Sequence, residues 1–411
     1  MYLAPYLRVV RDHPKPLAFG ALHSFFSSPG QTYAIAVLTP FIALSLDLSE
    51  ASLGVIYTIV SLASAATIPY LGRLIDRVDL GRYSLVVGAG MATGCLATAF
   101  APGAIALTLG LFLMRLTGQG LMTHIGATAT GRYFGPSRGK ALGVTSLGMP
   151  LGEAVFPLLL VVLVGLTDWR MTLAAVGELV LVAFLPLSRC LVGRKGVQSA
   201  REDPGRETAD AGAGGITTLE IIRSRHFRHI LPLAAASPFV LTGLIFHQGF
   251  IGEAKGWGIQ YLASVFFLFA MGHATGAIAI GPIVDRLGAA RLFPFNAIPF
   301  GLALAALWVG GPGWMGMIYL GLAGLAMGFY INLSTALWAE VYGTANLGAV
   351  RSLAATLMVF AAAAAPAIFG WALETGVPVD TILVLAIIYT ALAALWADAA
   401  PGGPNHQRRP T

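Results

Sequence analysis

GRLIDRVDLGR, residues 72–82, and GPIVDRLGAAR, residues 281–291, are one loop written twice. At an offset of 209 positions, Gly72, Asp76, Arg77 and Arg82 fall on Gly281, Asp285, Arg286 and Arg291. Tyr133 falls on Tyr342 and Gly139 on Gly348 at the same offset. Six loop identities on one offset mark an internal duplication. Both loops lie between apolar runs long enough to cross a bilayer core, which takes roughly 20 residues per helix. Twelve such runs are present, at about 17–45, 51–71, 83–102, 104–131, 140–166, 170–190, 229–252, 258–280, 291–310, 314–339, 346–372 and 378–398. None alternates apolar with polar as a barrel strand must. The expectation is an all-α membrane protein, twelve transmembrane helices in two six-helix repeats.

Composition agrees. Of 411 residues, 56% are hydrophobic and only 11% are Asp, Glu, Lys or Arg, and the mean hydropathy is +0.76. A soluble domain carries about 25% charged residues, so a soluble enzyme or a disordered scaffold is excluded. The net charge of +6 would suit a nucleic-acid binder only if gathered on one face. It is instead a topology signal. With the N-terminus in the cytoplasm, 22 of the 25 Lys and Arg fall on inside connections. The outside connections hold only Arg170 and Lys255, and Arg115 alone lies deep within a span. This positive-inside pattern predicts a multi-pass cell (inner) membrane protein with both termini cytoplasmic. Cys95 and Cys190 cannot form a disulfide framework, and no Cys/His spacing suits a metal, so no metal and no cofactor are expected. The first apolar stretch is too long for a cleavable signal.

The longest connection divides the chain. Residues 1–191 read as an N-terminal six-helix bundle, 192–217 as a flexible cytoplasmic linker, 218–400 as a C-terminal bundle and 401–411 as a disordered tail. Thr217 or Thr218 is a candidate cap for TLEIIRSRHFRHI, which reads as an amphipathic interfacial helix running into span seven. Parallel six-span repeats place a binding site at their interface near mid-membrane.

The paired loops resemble the cytoplasmic signature of the major facilitator superfamily, glycine-x-leucine-x-aspartate-arginine-x-glycine followed by basic residues. In the first copy Asp79 stands where the second glycine belongs, with Gly81 two residues late; in the second, Ile283 replaces the leucine. The resemblance covers nearly the whole chain and implies a transporter. It makes Gly72, Asp76, Arg77, Arg82, Gly281, Asp285, Arg286 and Arg291 the expected gating residues, an acid at each helix end clamping a positive partner. RLTGQGLM, residues 115–122, loosely resembles the family's span-four motif, and only Arg115 carries over, because Gly118 and Gly120 come early. In that motif the arginine faces span one and is tied to proton coupling.

GRYFGPSRGKALGVTSLGMPLG, residues 131–152, and LWAEVYGTANLGAVRS, residues 337–352, are similar to the monocarboxylate and oxalate branch. GMPLGE also partly resembles the antiporter motif of span five. Span eight departs from the monocarboxylate branch, holding His273 and neither acid nor arginine.

A charge in mid-membrane is a functional hypothesis by default. Arg115 leads, with Gln31 its candidate partner beside the proline-loosened Pro29–Gly30 step of span one. The candidate substrate-binding residues are Gln31, Arg115, Gln119, His124, His247, Gln248, His273, Tyr330 and Asn332; the alternative for each is a satisfied interhelical hydrogen bond. Glu153, His273 and Arg115 are the candidate proton-coupling residues, since histidine titrates near neutral pH. Glu178, Glu253 and Glu340 read as structural. The expected function is secondary, proton-coupled symport of a small monocarboxylate-like organic anion by alternating access. The alternative is a proton-driven exporter of apolar or cationic compounds, which GMPLGE and Glu153 favour. No phosphate-binding loop and no catalytic constellation is present, so no enzyme and no nucleic-acid partner is expected. The partners are substrate, protons and the bilayer, around a monomer.

Overall fold

The computed structural model describes residues 4–134, 138–192, 217–343 and 346–398, which form helices and no strand. Among the described residues, eleven helices are long and apolar enough to cross a membrane. In the first half these are span one Pro14–Leu46, two Glu50–Asp76, four Ala104–Phe134, five Gly139–Leu166 and six Trp169–Val192. In the second half they are seven Arg225–Phe246, eight Ile259–Leu287, nine Ala289–Val309, ten Gly313–Tyr342, eleven Leu347–Glu374 and twelve Val379–Ala397. The expected third span is the helix Leu80–Ala99. Its 20 residues reach about 30 Å at 1.5 Å per residue, but Arg82 and its glycine, serine and threonine residues dilute its apolar character. The outward faces carry large apolar side chains such as Ile105, 82% exposed, and Leu395, 68% exposed. Water would not tolerate so many; lipid does.

The chain forms two compact units, Met1–Pro204 and Gly205–Thr411. The linker expected at 192–217 and the tail at 401–411 lie outside the described residues, apart from Val192 and Thr217. In the first unit, glycines bring spans one, four and five together. A Cβ on Gly126 would stand 2.9 Å from the Gly20 carbonyl, and one on Gly148 2.9 Å from Ser24 Cβ. In the second unit, Gly272 of span eight meets the Gly321 backbone of span ten, Gly276 meets that of Leu325 and Gly328, and Gly324 meets that of Phe269, almost backbone to backbone. Small residues let membrane helices approach this closely, where dispersion between backbones replaces the hydrophobic drive.

Helix ends are closed by a few charged side chains. Asp168 accepts the N–H groups of Arg170 and Met171 at 2.7 and 2.9 Å. Arg170 donates to the Ala99 and Ala101 carbonyls at 2.7 and 2.9 Å. Lys255 donates to the Trp308 carbonyl at 2.7 Å and pairs with Asp380. Both cations of the charge-poor connections thus satisfy terminal carbonyls that a helix cannot satisfy itself. The helix expected to run from Thr217 or Thr218 into span seven is interrupted. Thr217 and Glu220 form a capping box over the short helix Thr218–Arg223. Ser224 then turns extended, and its hydroxyl caps span seven by accepting the Phe227 N–H at 3.2 Å. The Thr217 backbone N–H and hydroxyl hold the Glu220 carboxyl below its usual range.

Candidate functional site

Span one breaks in its middle, and the break builds the site. Its α-helix stops at Phe26, passes through a 3-10 turn at Ser28–Gly30, and restarts at Thr32 after Gln31 adopts an extended backbone. Proline 29 has no N–H to offer the Phe25 carbonyl. That carbonyl instead accepts the Ser28 hydroxyl at 2.5 Å. Downstream, the N–H groups of Ala34 and Ile35 both bond to Gln31, so the Gly30 carbonyl is left outside the ladder. Arg115 Nη1 reaches it from span four at 3.2 Å.

Arg115 is 7% exposed and opens a π-helical stretch, Arg115–Met122. Such wide turns are frequent at functional sites. Its guanidinium carbon lies 4.7 Å from the ring centre of Tyr57 on span two. The Tyr57 hydroxyl donates to Thr32 Oγ1 at 2.7 Å. Close approach depends on glycines. A Cβ on Gly30 would strike the Met114 carbonyl oxygen, and one on Gly118 would stand 2.8 Å from the Ser27 carbonyl. Gln31, the expected partner of Arg115, turns elsewhere and donates to Ser27 Oγ at 3.3 Å. A backbone carbonyl freed by the break takes the arginine instead.

Glu153 is buried on span five beside Gly152, whose missing side chain leaves room for Tyr33 and Ser28. Glu153 interacts electrostatically with Tyr33, whose hydroxyl donates to Ser28 at 2.8 Å. Arg115 and Glu153 therefore meet different tyrosines beside the same break, Tyr57 of span two and Tyr33 of span one. The structure thus brings Gln31, Arg115 and Glu153 to one region. Gln119 is exposed. His124 lies against Gly72, where a Cβ would stand 3.6 Å from its ring, at the loop end of span two.

In the second unit the named residues are dispersed. His247 Nε2 bonds to the Pro366 carbonyl at 2.8 Å, which makes that nitrogen the donor. The Tyr330 hydroxyl donates to the Ala234 carbonyl at 2.9 Å, and Asn332 to that of Ala277 at 3.2 Å. These three tie spans seven to eleven, ten to seven and ten to eight. His273 and Gln248 are buried. Gln248 Nε2 has no hydrogen-bond partner among the described residues.

Three features escaped sequence reasoning. Tyr57 and Thr32 gave no signal beyond a hydroxyl in an apolar span. His23 is a second. Its Nδ1 meets the Phe19 carbonyl at 2.8 Å, so Nε2 accepts from Ser84 at 2.7 Å, and Ser84 meets Ser188 at 2.6 Å. That chain fastens spans one, three and six. The third is Arg132, which pairs with Asp76 and donates to the Ile75 carbonyl at 3.5 Å.

The two loops close differently. Asp79, which displaced the expected glycine, caps the next helix by accepting the Arg82 N–H at 2.9 Å. In the second copy Gly288 holds φ +81, a left-handed conformation that favours glycine. There Glu340 from span ten accepts the N–H groups of Ala289 and Ala290 at 2.6 and 3.2 Å. Arg77, Arg82, Asp285, Arg286 and Arg291 are exposed, and Gly72 is buried.

Residues 21–272 match the sequence profile of the Major Facilitator Superfamily. The chain belongs to the Major Facilitator Superfamily. The fold agrees. The nucleoside transporter NupG superposes with a TM-score of 0.71 at 13% identity, over 94% of this chain and 98% of that one. A bacterial homolog of the human lysosomal transporter Spinster, inward-facing and occupied, gives 0.68 at 15% identity, over 96% and 97%. In sequence the chain is 28% identical over 395 residues to a Thermoproteus tenax protein, the "Uncharacterized 38 kDa protein in 23S RNA operon". That match covers 94% of this chain and 95% of the relative. As a member of the superfamily the protein is a multi-pass membrane transporter of small molecules, working by alternating access, and not an enzyme.

Proposed function

We propose that this transporter moves a small, monocarboxylate-like organic anion across the cell membrane, coupled to protons. One observation carries the reading. Arg115 is a buried guanidinium in mid-span, one N–H on the Gly30 carbonyl, its Nε without a partner among the described residues. No described carboxylate pairs with it. A planar fork with donors to spare fits a carboxylate in two-point geometry. Glu153 and His273 are the proposed proton carriers, and the positive-inside count supports cytoplasmic termini.

A second reading, proton-driven export of apolar or cationic compounds, is favoured by the buried Glu153. NupG, whose name makes it a nucleoside transporter, keeps a neutral polar solute in view as well. A thermal-shift screen of the purified protein separates them, because a ligand that binds only the folded state raises its stability. Small monocarboxylates should raise the midpoint, and Arg115→Gln should abolish that rise. Stabilisation by cations or nucleosides alone would overturn the anion reading. Glu153→Gln in proteoliposomes under an imposed pH gradient tests the coupling. It should remove gradient-driven accumulation and keep substrate exchange; unchanged accumulation would remove Glu153 from the mechanism.

A further inference from the structure

A groove of about 480 Å³ runs along the outer side of spans seven and twelve, lined by Pro232, Tyr389, Leu392, Ala393, Leu395 and Trp396. The Tyr389 hydroxyl and the Pro232 and Trp396 carbonyls are already spent. The Tyr389 hydroxyl donates to the Pro232 carbonyl at 2.8 Å. His229 stacks on Trp396 with ring centres 4.4 Å apart and bonds to its carbonyl at 3.0 Å. What is left is an apolar trough with rigid aromatic walls, on a surface that faces lipid. It offers little to a polar solute and a complementary wall to a hydrocarbon chain.

The end of the trough is charged. Arg225, Arg228 and Pro232 are spaced i, i+3 and i+7, so they share one stripe of span seven. Both arginines are exposed, and Arg223 ends the short helix just before them. Side chains on a helix lean toward its N-terminus, which here is the membrane surface. The guanidinium groups therefore stand at headgroup level above the apolar trough.

We infer that this groove is a binding site for an anionic glycerophospholipid, its acyl chain along Pro232, Leu392, Leu395 and Trp396 and its phosphate on Arg225 and Arg228. The charge pattern sets the choice. A zwitterionic lipid would fill the trough equally well but would gain little from the arginines, each of which is worth about a fivefold preference for negative charge.

Trp396 supplies the probe. The full chain is reconstituted in nanodiscs with increasing fractions of brominated phosphatidylglycerol or brominated phosphatidylcholine, and tryptophan quenching is followed. The component missing in Trp396→Phe reports on the groove. That component should saturate at a roughly 25-fold lower fraction of the anionic lipid, the product of the two arginine preferences. The double variant Arg225→Gln, Arg228→Gln alters only exposed side chains and should erase the preference while leaving the elution profile of the protein unchanged. Equal quenching by both lipids in the parent protein would reduce the groove to ordinary boundary lipid and overturn the proposal. A preference that survives in the double variant would overturn the assigned headgroup contacts, and with them the site.

Discussion

Spans one and seven carry the same two residues at the same place, and only one of them breaks. Ser28–Pro29 and Ser237–Pro238 are related by the 209-residue offset that relates the loops. Span one leaves the α-helix there, whereas span seven runs from Arg225 to Phe246 through both Pro232 and Pro238. Each proline lacks the same N–H, so proline alone does not decide. The next residue differs, Gly30 against Phe239, and so does the residue on the facing span, Arg115 against Gly324. Gly30 has no side chain to hold it off span four, and its freed carbonyl finds a guanidinium. Phe239 packs on Phe369 with ring centres 5.8 Å apart. Gly324, in the place of Arg115, presses against the Phe269 backbone. The surrounding positions follow suit. Tyr57, Thr32, Gln31 and Glu153 have Phe266, Leu241, Val240 and Ala362 as counterparts. One half holds a polar cluster around a broken helix; the other fills the same positions with apolar packing. A duplicated backbone plan needs both a gap and a partner for the freed carbonyl before a proline opens a helix.

Exchanging the residue after proline tests this most severely. Gly30→Phe should cost about 4 kcal/mol or more, because its Cβ meets backbone that cannot move aside. The reverse exchange, Phe239→Gly, loses an aromatic contact and adds helix flexibility, for about 2–4 kcal/mol. Thermal unfolding in detergent ranks the two. A Gly30→Phe protein as stable as its parent would show that close approach is not what the break requires.

Arg115→Lys keeps the charge and loses the fork that holds Gly30 and leaves Nε for a ligand. Losing a charge-assisted hydrogen bond costs about 1.5–3 kcal/mol, so uptake into proteoliposomes should fall at least tenfold. Parent-like uptake and binding would place Arg115 outside the site.

The loops offer a milder contrast. Val341 stands where the offset places the counterpart of Arg132, so the Asp76–Arg132 pair belongs to the first half. Both partners are about half exposed, 58% and 43%, and such pairs contribute about 0–1 kcal/mol. Asp76→Asn and Arg132→Gln should each leave the unfolding midpoint within a degree or two and slow transport severalfold to the same extent. Unequal rates would mean that they do not act as a pair. In the second half Glu340→Gln, which weakens the cap on Ala289 and Ala290, is the corresponding test.

The smallest effect concerns how each half begins. Span one starts after His13 without a side-chain cap, whereas the first described helix of the second unit starts with the Thr217–Glu220 box. The folded Glu220 carboxyl lies below its unfolded value, which is near 4.3 for a free glutamate. Its contribution is therefore complete above that value and drains away as the pH falls through the lower, folded value. Protection factors of the amides at 218–224, taken relative to the intrinsic exchange rate at each pH, should fall in acid, and Thr217→Ala should flatten that dependence. A pH response that persists in Thr217→Ala would place its origin elsewhere.

The sequence by itself determined the class of fold and the duplication. Bilayer thickness demands apolar runs of fixed length, and those runs can be counted without coordinates. The 209-residue offset is equally a property of the one-dimensional string, and so is the place of Arg115 as the one Lys or Arg deep within a span. Tertiary structure decided the partners. Gln31 and Arg115 were both legible as polar residues near a proline, yet their pairing was not. Which carbonyl a proline frees, and whether an arginine on another helix can reach it, depends on helix rotation and separation. Those are set by Gly30, Gly118 and Met114 together. Arg132 was hidden for the same reason, being 56 residues from the aspartate it holds. His247, Tyr330 and Asn332 looked like a polar lining in sequence, and each donates to a backbone carbonyl on a neighbouring span. A hydrogen-bonding residue in a membrane must find a partner somewhere; only the packed structure says whether that partner is the protein itself or leaves a donor over for a ligand.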